Sequence, residues 1–470
     1  MPRIILISIL LLIILFQIRG ERVPIHEGTM GNGIFFRQVA IEFVDVIDAD
    51  SYNIWQLQHI LPFALVHVVY VVFGLDLEPA PLMSGMILAN LLFLALAIFW
   101  FFEIMRKIRA SDTLEILAFI LLFFNFAILK EIWYNPFSTD MAALMIGLAQ
   151  VNYFIRYEKS KLFLVSFVGA FISPFLLPIG LLLLVFPGDK LELYGEEKPK
   201  SAFPPLAITL FILVTVGIGI WTGRLNQGWK EVVFFTVSLI SMSVFLYWMM
   251  MQNQVDWSKN WHNLGKKLKM EKLLPFFGGL IAFTLLLWLL SGSNSNVSLR
   301  TLTIAFLSNI LIHPFDFLTG HLMYYGLLVP FALVFMLRVT KESGLLGIGF
   351  SLAMIGMLLF ALHPDSSTLM PFIPVLFFAV VKAVRRYRLK RKDLFIVGLF
   401  NLLHSMWWVR LNMPGMKEAL LLGETEGFPA QRYWMHFGNE QSLAVAVVVF
   451  LIFVAVMLVL DRGRRRYVRS

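Results

Sequence analysis

The chain has 470 residues, 59% of them hydrophobic and only 15% charged, with a mean hydropathy of +0.78. A soluble domain carries about 25% charged residues, so this sequence cannot coat a water-facing surface of its size, and lipid must be its main solvent. It has no cysteine, which excludes disulfides, thiol catalysis and thiolate metal sites, and its net charge of +9 fits loops at one membrane face and anionic lipid better than nucleic acid.

The first apolar run, Ile4 to Phe16, is followed by Gln17-Ile18-Arg19-Gly20-Glu21 with no small-residue cleavage site, so it reads as an uncleaved first span. The stretch 19–82 is then the longest without a span. It carries His26, Glu27, Asn32, Arg37, Glu42, Asp45, Asp48, Asp50, Gln58, His59 and His67 among the interface-type aromatics Tyr52, Trp55 and Tyr70. Tyr52 to Phe73 mixes polar and apolar residues as a helix lying on the membrane would, with an interruption at Pro62.

Beyond it, apolar runs bounded by charge predict spans at 83–105, 114–130, 141–155, 161–172, 174–187, 205–221, 232–251, 273–291, 321–337, 344–362, 369–382, 394–409 and 442–460. The runs 161–172 and 174–187 are short, and Ser173-Pro174 lies between them, which predicts a hairpin of two short passes; one kinked helix is the alternative. Most of the 39 lysines and arginines fall in alternate connections, beginning with Arg3 and ending with Arg462 to Arg469. By the positive-inside rule both termini are then cytoplasmic and the stretches 19–82, 131–140, 222–231, 292–320, 363–368 and 410–441 lie outside. The expected fold class is an all-α polytopic transmembrane bundle of about 12–14 spans. It forms a single integral membrane domain over 1–470, with a large first extracytoplasmic loop carrying membrane-lying helices and a small outer cap at 410–441.

Four outer constellations can carry chemistry. Glu42, Asp45 and Asp48 recur at the spacing of one helix face, with Asp50 beside them. One such acid could act as a general base toward a hydroxyl, and two could hold a divalent cation against a phosphate; a solvated helix face is the plain alternative. Trp133 to Asp140 leads directly into an apolar run, where Thr139 or Asp140 serves as a helix cap or Asp140 joins the first acidic loop as a second carboxylate. His313-Pro314-Phe315-Asp316 followed by His321, Tyr324 and Tyr325, and His363-Pro364-Asp365-Ser366-Ser367, each set imidazole and carboxylate at the outer surface, at spacings that match no metal signature. His404 and Arg410 flank Trp407-Trp408, where a lipid phosphate or simple snorkelling would place an arginine. The spans hold few acids, which weighs against an ion-coupled transporter.

The plan resembles the polytopic GT-C glycosyltransferases, particularly bacterial members with lipid-linked donors. The stretch Gly31-Asn32-Gly33-Ile34-Phe35-Phe36-Arg37-Gln38-Val39-Ala40, with Gln58-His59-Ile60-Leu61-Pro62, is similar to that family's Asp-Gly-x-x-Tyr and Arg-x-Leu-Pro pattern. Asn135 to Asp140 is similar to its second-loop motif, and the hairpin at Ser173-Pro174 has a counterpart there. The chain departs from the pattern at Asn32, where the family has an acid, at His59, where it has arginine, and at Ser366 and Ser367, near the place of a late-loop arginine.

The resemblance implies transfer of a sugar from a polyprenyl-phosphate-linked donor to a lipid or glycan acceptor at the outer face of a bacterial inner membrane. An acid among Asp45, Asp48 and Asp50 would act as base, since an amide at Asn32 cannot. Asp140 would assist, His59 and Arg37 would steady the phosphate, and Asn32, Glu42, His313, His363 and Asp365 would line the substrate. It fixes no cofactor; a divalent cation is the one to weigh. Two rivals are a non-catalytic relative that binds the carrier lipid and a flippase for lipid-linked glycans.

Overall fold

Each apolar run folds as helix, and the ends are fixed by local signals that the sequence carries. The computed structural model describes residues 2–29, 32–50, 52–186, 190–195, 202–221, 223–226, 228–267, 270–290, 316–363, 366–387, 390–410, 417–418, 421 and 443–468. Among these the protein is all-α, a bundle of helices rich in lipid-facing side chains, with one isolated bridge between Leu193 and Val255. His313, Asp365 and nearly all of the expected cap at 410–441 lie outside the described residues.

Helix α1 (Pro2–Ile18) is an apolar rod. The loop that follows is built from α2 (Gly33–Asp48), α3 (Ile54–Leu57) and α4 (Leu61–Phe73). Asn53 and Gln56 form a capping box at the start of α3, and α4 ends on Gly74 in the left-handed region at φ 60°. The expected interruption of 52–73 is present: the break falls at residues 58–60, and Pro62 sits in the first turn of α4, where its missing N–H costs nothing.

Next come α5 (Pro79–Lys107) and α6 (Asp112–Phe123), the latter capped by Ser111. A π-helical turn (Ala127–Glu131), α7 (Ile132–Tyr134) and α8 (Asp140–Arg156) follow. Helix α5 runs along α8, and α8 also touches α9 (Lys159–Gly169), α10 (Leu176–Val185) and α19 (Ile373–Val384). The remaining elements are α11 (Phe203–Trp221), α12 (Trp229–Gln252), α13 (Trp257–Lys267) and α14 (Met270–Leu290), then α15 (Asp316–Tyr325), α16 (Leu328–Val334), α17 (Met336–Leu346) and α18 (Ile348–Phe360). After α19 come α20 (Arg391–His404) and α21 (Leu443–Val468).

The expected hairpin at Ser173-Pro174 is two separate helices, α9 and α10, packed on one another. Gln150 of α8 fixes them by donating from Nε2 to Ser166 Oγ at 3.0 Å and to the Leu176 carbonyl at 2.7 Å.

The span pattern is coarser than the apolar runs imply. By length and composition four described helices can cross a membrane, or up to five if the bent pair counts as one span, while six more apolar helices are 10–17 residues long. A straight crossing of about 30 Å needs about 20 residues. The run read at 114–130 breaks: α6 and the segment Ala127–Tyr134 meet at 57°. Asn125 holds that corner, donating to the Leu122 carbonyl and accepting from Ile128 N. The run read at 321–337 falls into α15, α16 and the start of α17. Its first break is Gly326, at φ 58°, where a Cβ would lie 2.8 Å from Asn401 Oδ1. That oxygen accepts from Leu327 N, and the same side chain donates to the Ile120 carbonyl, so one asparagine ties α20, α6 and the break together.

Ion pairs mark one end of the bundle. Arg3 grips Glu115 through two bonds, of 2.6 and 2.8 Å, Glu103 lies between Arg106 and Arg156, and Glu342 lies 3.5 Å from Lys382 and 3.4 Å from Arg386. This basic end joins the start of α1, the end of α5, the start of α6 and the end of α8, so these helices alternate in direction as the loop charges require.

Candidate functional site

The opposite end gathers four pieces of chain. The segment after α1 doubles back over its own end. Arg22 donates to the Gln17 carbonyl at 2.9 Å and also to that of Ile18, filling acceptors that a helix terminus leaves open. Val23 N then donates to the Tyr134 carbonyl at 3.3 Å, which lays the chain against α7. This brings Glu21 onto Lys130 of the π-turn, Oε1 to Nζ at 2.6 Å, with side chains only 9% and 5% exposed. Tyr134 lies close to Glu21 and to the buried Glu131. The sequence reading did not single out this pair; the signal was a lysine and a glutamate closing an apolar run, facing an acid just after the first helix.

His26, Glu27 and Gly28 all adopt left-handed backbone, at φ 44°, 55° and 91°. Two of the three have a Cβ, and such residues are held there at a cost of about 1 kcal/mol each or more. The turn sets Glu27 in an ion pair with Arg37, one turn into α2. Asn32 is the exposed N-cap of α2, with no side-chain cap bond. The adjacent Gly33 backbone lies so close to the second loop that a Cβ would meet the Phe137 carbonyl oxygen at 3.5 Å. Asn90 of α5 fixes that loop from below, donating to the Pro136 carbonyl at 3.0 Å. The start of the first loop and the 135–140 turn therefore share one site.

Asp140 is the first residue of α8, where a carboxylate complements the helix dipole. The cap residue itself is Thr139, without a side-chain cap bond. Asp140 is half-buried, its N–H faces Ser138 Oγ at 3.4 Å, and Tyr324 Oη donates to its Oδ2 at 3.3 Å. Tyr324 is fully buried in α15. Its neighbour Tyr325 donates to the Ser366 carbonyl at 2.6 Å. His321 Nε2 donates to the Ala361 carbonyl at 2.8 Å, so its Nδ1 accepts from Ser366 Oγ at 2.9 Å. Two constellations far apart in the sequence, around His321 and around His363–Ser366, thus meet behind Asp140, with His363 itself half-buried beside them.

The acidic stripe is arranged differently. Glu42 leaves helical geometry, at φ −132° and ψ 50°, so α2 is kinked and Glu42, Asp45 and Asp48 do not form one continuous face. All three, and Asp50, are exposed. Asp45 and Asp48 follow that kink on the far part of α2, and Asp50 lies in the turn after it at φ 49°.

His59 is turned inward. It is 8% exposed, its ring stacks on Trp55 at 4.0 Å, and Nδ1 donates to the Trp55 carbonyl at 2.7 Å. Burial drives its pKa from 6.5 down to about 4. The imidazole is therefore neutral near pH 7 and Nε2 carries a lone pair, which does not suit the phosphate clamp expected of it; it braces α3 against α2 through Phe36 and Phe63. His67 has a related role, with Nδ1 3.2 Å from the Ala40 carbonyl.

Among the described residues no three His, Asp or Glu side chains converge in a way that could hold a metal ion.

Compared with known protein families, curated proteins and solved structures, the chain matches none.

Proposed function

We propose that this protein is a membrane glycosyltransferase that moves a sugar from a polyprenyl-phosphate-linked donor to a lipid or glycan acceptor. The site lies at the end of the bundle opposite the basic one. The Lys/Arg skew supports an inner-membrane orientation with both termini cytoplasmic and the active face outside. The observation that carries the reading is the contact of the start of α2, at Gly33 beside Asn32, with the 135–140 turn, whose Asp140 is oriented by the buried Tyr324.

In this reading Asp140, rather than an acid of the exposed stripe, takes the proton of the acceptor hydroxyl. The acceptor oxygen forms a bond to the anomeric carbon as the bond from that carbon to the phosphate oxygen breaks, and the electron pair leaves with the phosphate. Arg37 exchanges Glu27 for the departing phosphate, and the Asn32 amide donates to donor or acceptor oxygens. Phosphate is a good leaving group, so positioning and charge stabilisation carry much of the barrier.

Membranes containing the chain, supplied with radiolabelled polyprenyl-phosphate sugars, are expected to transfer label to endogenous acceptor. Absence of transfer from every donor, with carrier-lipid binding retained, would replace the enzyme by a non-catalytic lipid-binding protein.

A further inference from the structure

At the basic end, remote from Asp140, a half-open cavity of about 240 Å³ lies between the ends of α5, α8, α17 and α19 and the chain after α10. Its polar lining is Lys107, Lys190, Lys382 and Tyr157, and its walls include Phe154 and Phe378. No acidic side chain lines it among the described residues. Three acids stand around it, and each is outnumbered by its basic partners: Glu103 lies between Arg106 and Arg156, Glu158 pairs with Lys161 within reach of Lys107 and Arg156, and Glu342 meets Lys382 and Arg386.

Helix C-termini normally repel anions, because their last carbonyls point outward. Here those carbonyls are engaged. Ala110 N donates to Met105 O at 3.0 Å past the end of α5, and Glu158 N donates to Tyr153 O at 3.0 Å past the end of α8. The residues that make these turns, Arg109 and Tyr157, stand at φ 53° and 59°. Glycine is the usual occupant of that position and relieves the strain. Both turns instead retain a side chain able to donate to phosphate, one lining the cavity and one two residues from Lys107.

We propose that this cavity binds the phosphate of an anionic lipid headgroup in the leaflet at the basic end. The lysines and Tyr157 meet the phosphate oxygens. The apolar walls meet the glycerol and first acyl carbons, which a soluble phosphate ester would leave uncovered.

The test uses the full chain in neutral detergent micelles, titrated with short-chain fluorescent phosphatidic acid, with phosphatidylcholine of the same chain length, and with glycerol 3-phosphate as competitor. Phosphatidic acid is expected to bind, and Lys107→Gln/Lys190→Gln/Lys382→Gln to weaken it by roughly fivefold per lysine, about a hundredfold in all. A Lys107→Gln/Lys190→Gln variant leaves the Glu342 pair intact and keeps the test valid if the triple variant misfolds; it should lose about 25-fold. Lys159→Gln/Lys161→Gln/Lys392→Gln, at exposed positions of the same end, should change binding less than threefold. Competition by glycerol 3-phosphate at the affinity of the lipid would keep the phosphate site but make its source soluble. Equal binding of phosphatidylcholine, or equal losses in the cavity and surface variants, would overturn the proposal.

Discussion

The two ends of this bundle hold buried carboxylates in different ways. At the basic end Glu115, Glu103 and Glu342 are covered, and each is reached by an exposed arginine, Arg3, Arg106 and Arg386 at 57%, 71% and 54%, while Arg156 and Lys382, the second partners of Glu103 and Glu342, are 28% and 26% exposed. At the other end both partners are nearly covered, the Glu21 side chain at 9% and the Lys130 side chain at 5% exposed. A half-wet pair keeps much of its hydration and contributes little, whereas a dry pair is costly to break, because the surviving charge has no water to return to. The basic end thus pins helix ends at the rim, while the opposite end is built around an interior charge that fixes the chain after α1 onto α7.

The sharpest way to break this contrast is Lys130→Met, which strips Glu21 of the lysine. It should destabilise the protein by about 3–5 kcal/mol, seen as a large drop in thermal unfolding temperature in micelles. Adding Glu21→Gln should recover most of that loss. Recovery of nothing would mean that Lys130 matters for packing rather than charge.

The next effect is a pH dependence confined to the Asp140 end. The folded state refuses the proton that the unfolded chain binds at His59 below pH 6.5, since the folded value is about 4. Stability is therefore complete above pH 6.5 and falls as pH drops toward 4, by about 3 kcal/mol at most. His59→Asn keeps an N–H for the Trp55 carbonyl and should remove the His59 share of that slope in unfolding measured across pH.

Smaller still is Tyr324→Phe, which removes one donor from Asp140 and should lower sugar transfer by about tenfold with little change in unfolding. The smallest effect is at the basic rim: Arg3→Gln should cost about 1 kcal/mol or less. A loss as large as that of Lys130→Met would erase the contrast between the ends.

What the sequence made legible follows from punctuation. Pro62 and Ser173-Pro174 mark breaks because their backbone chemistry is local, and alternate clusters of Lys and Arg mark direction. The corner at Asn125 and the split at Gly326 were hidden, because an all-apolar run shows no phase from which to detect a bend. Glu42 looked like part of a stripe because spacing presumes a straight helix. Glu21–Lys130 and His321–Ser366 join residues far apart in the chain, which periodicity cannot pair. Asp140 was legible as a candidate through its place at the head of an apolar helix, but its orientation by Tyr324 comes only from the packing of α15.

The most direct measurement compares sugar transfer by Asp140→Asn with that by Asp45→Asn, Asp48→Asn and Asp50→Asn at equal expression. Loss of about a hundredfold or more at Asp140, with the stripe variants within threefold of wild type, is the predicted result. Full activity of Asp140→Asn, with loss in any stripe variant, would contradict the account and move the base to the exposed acids of α2 and the turn after it.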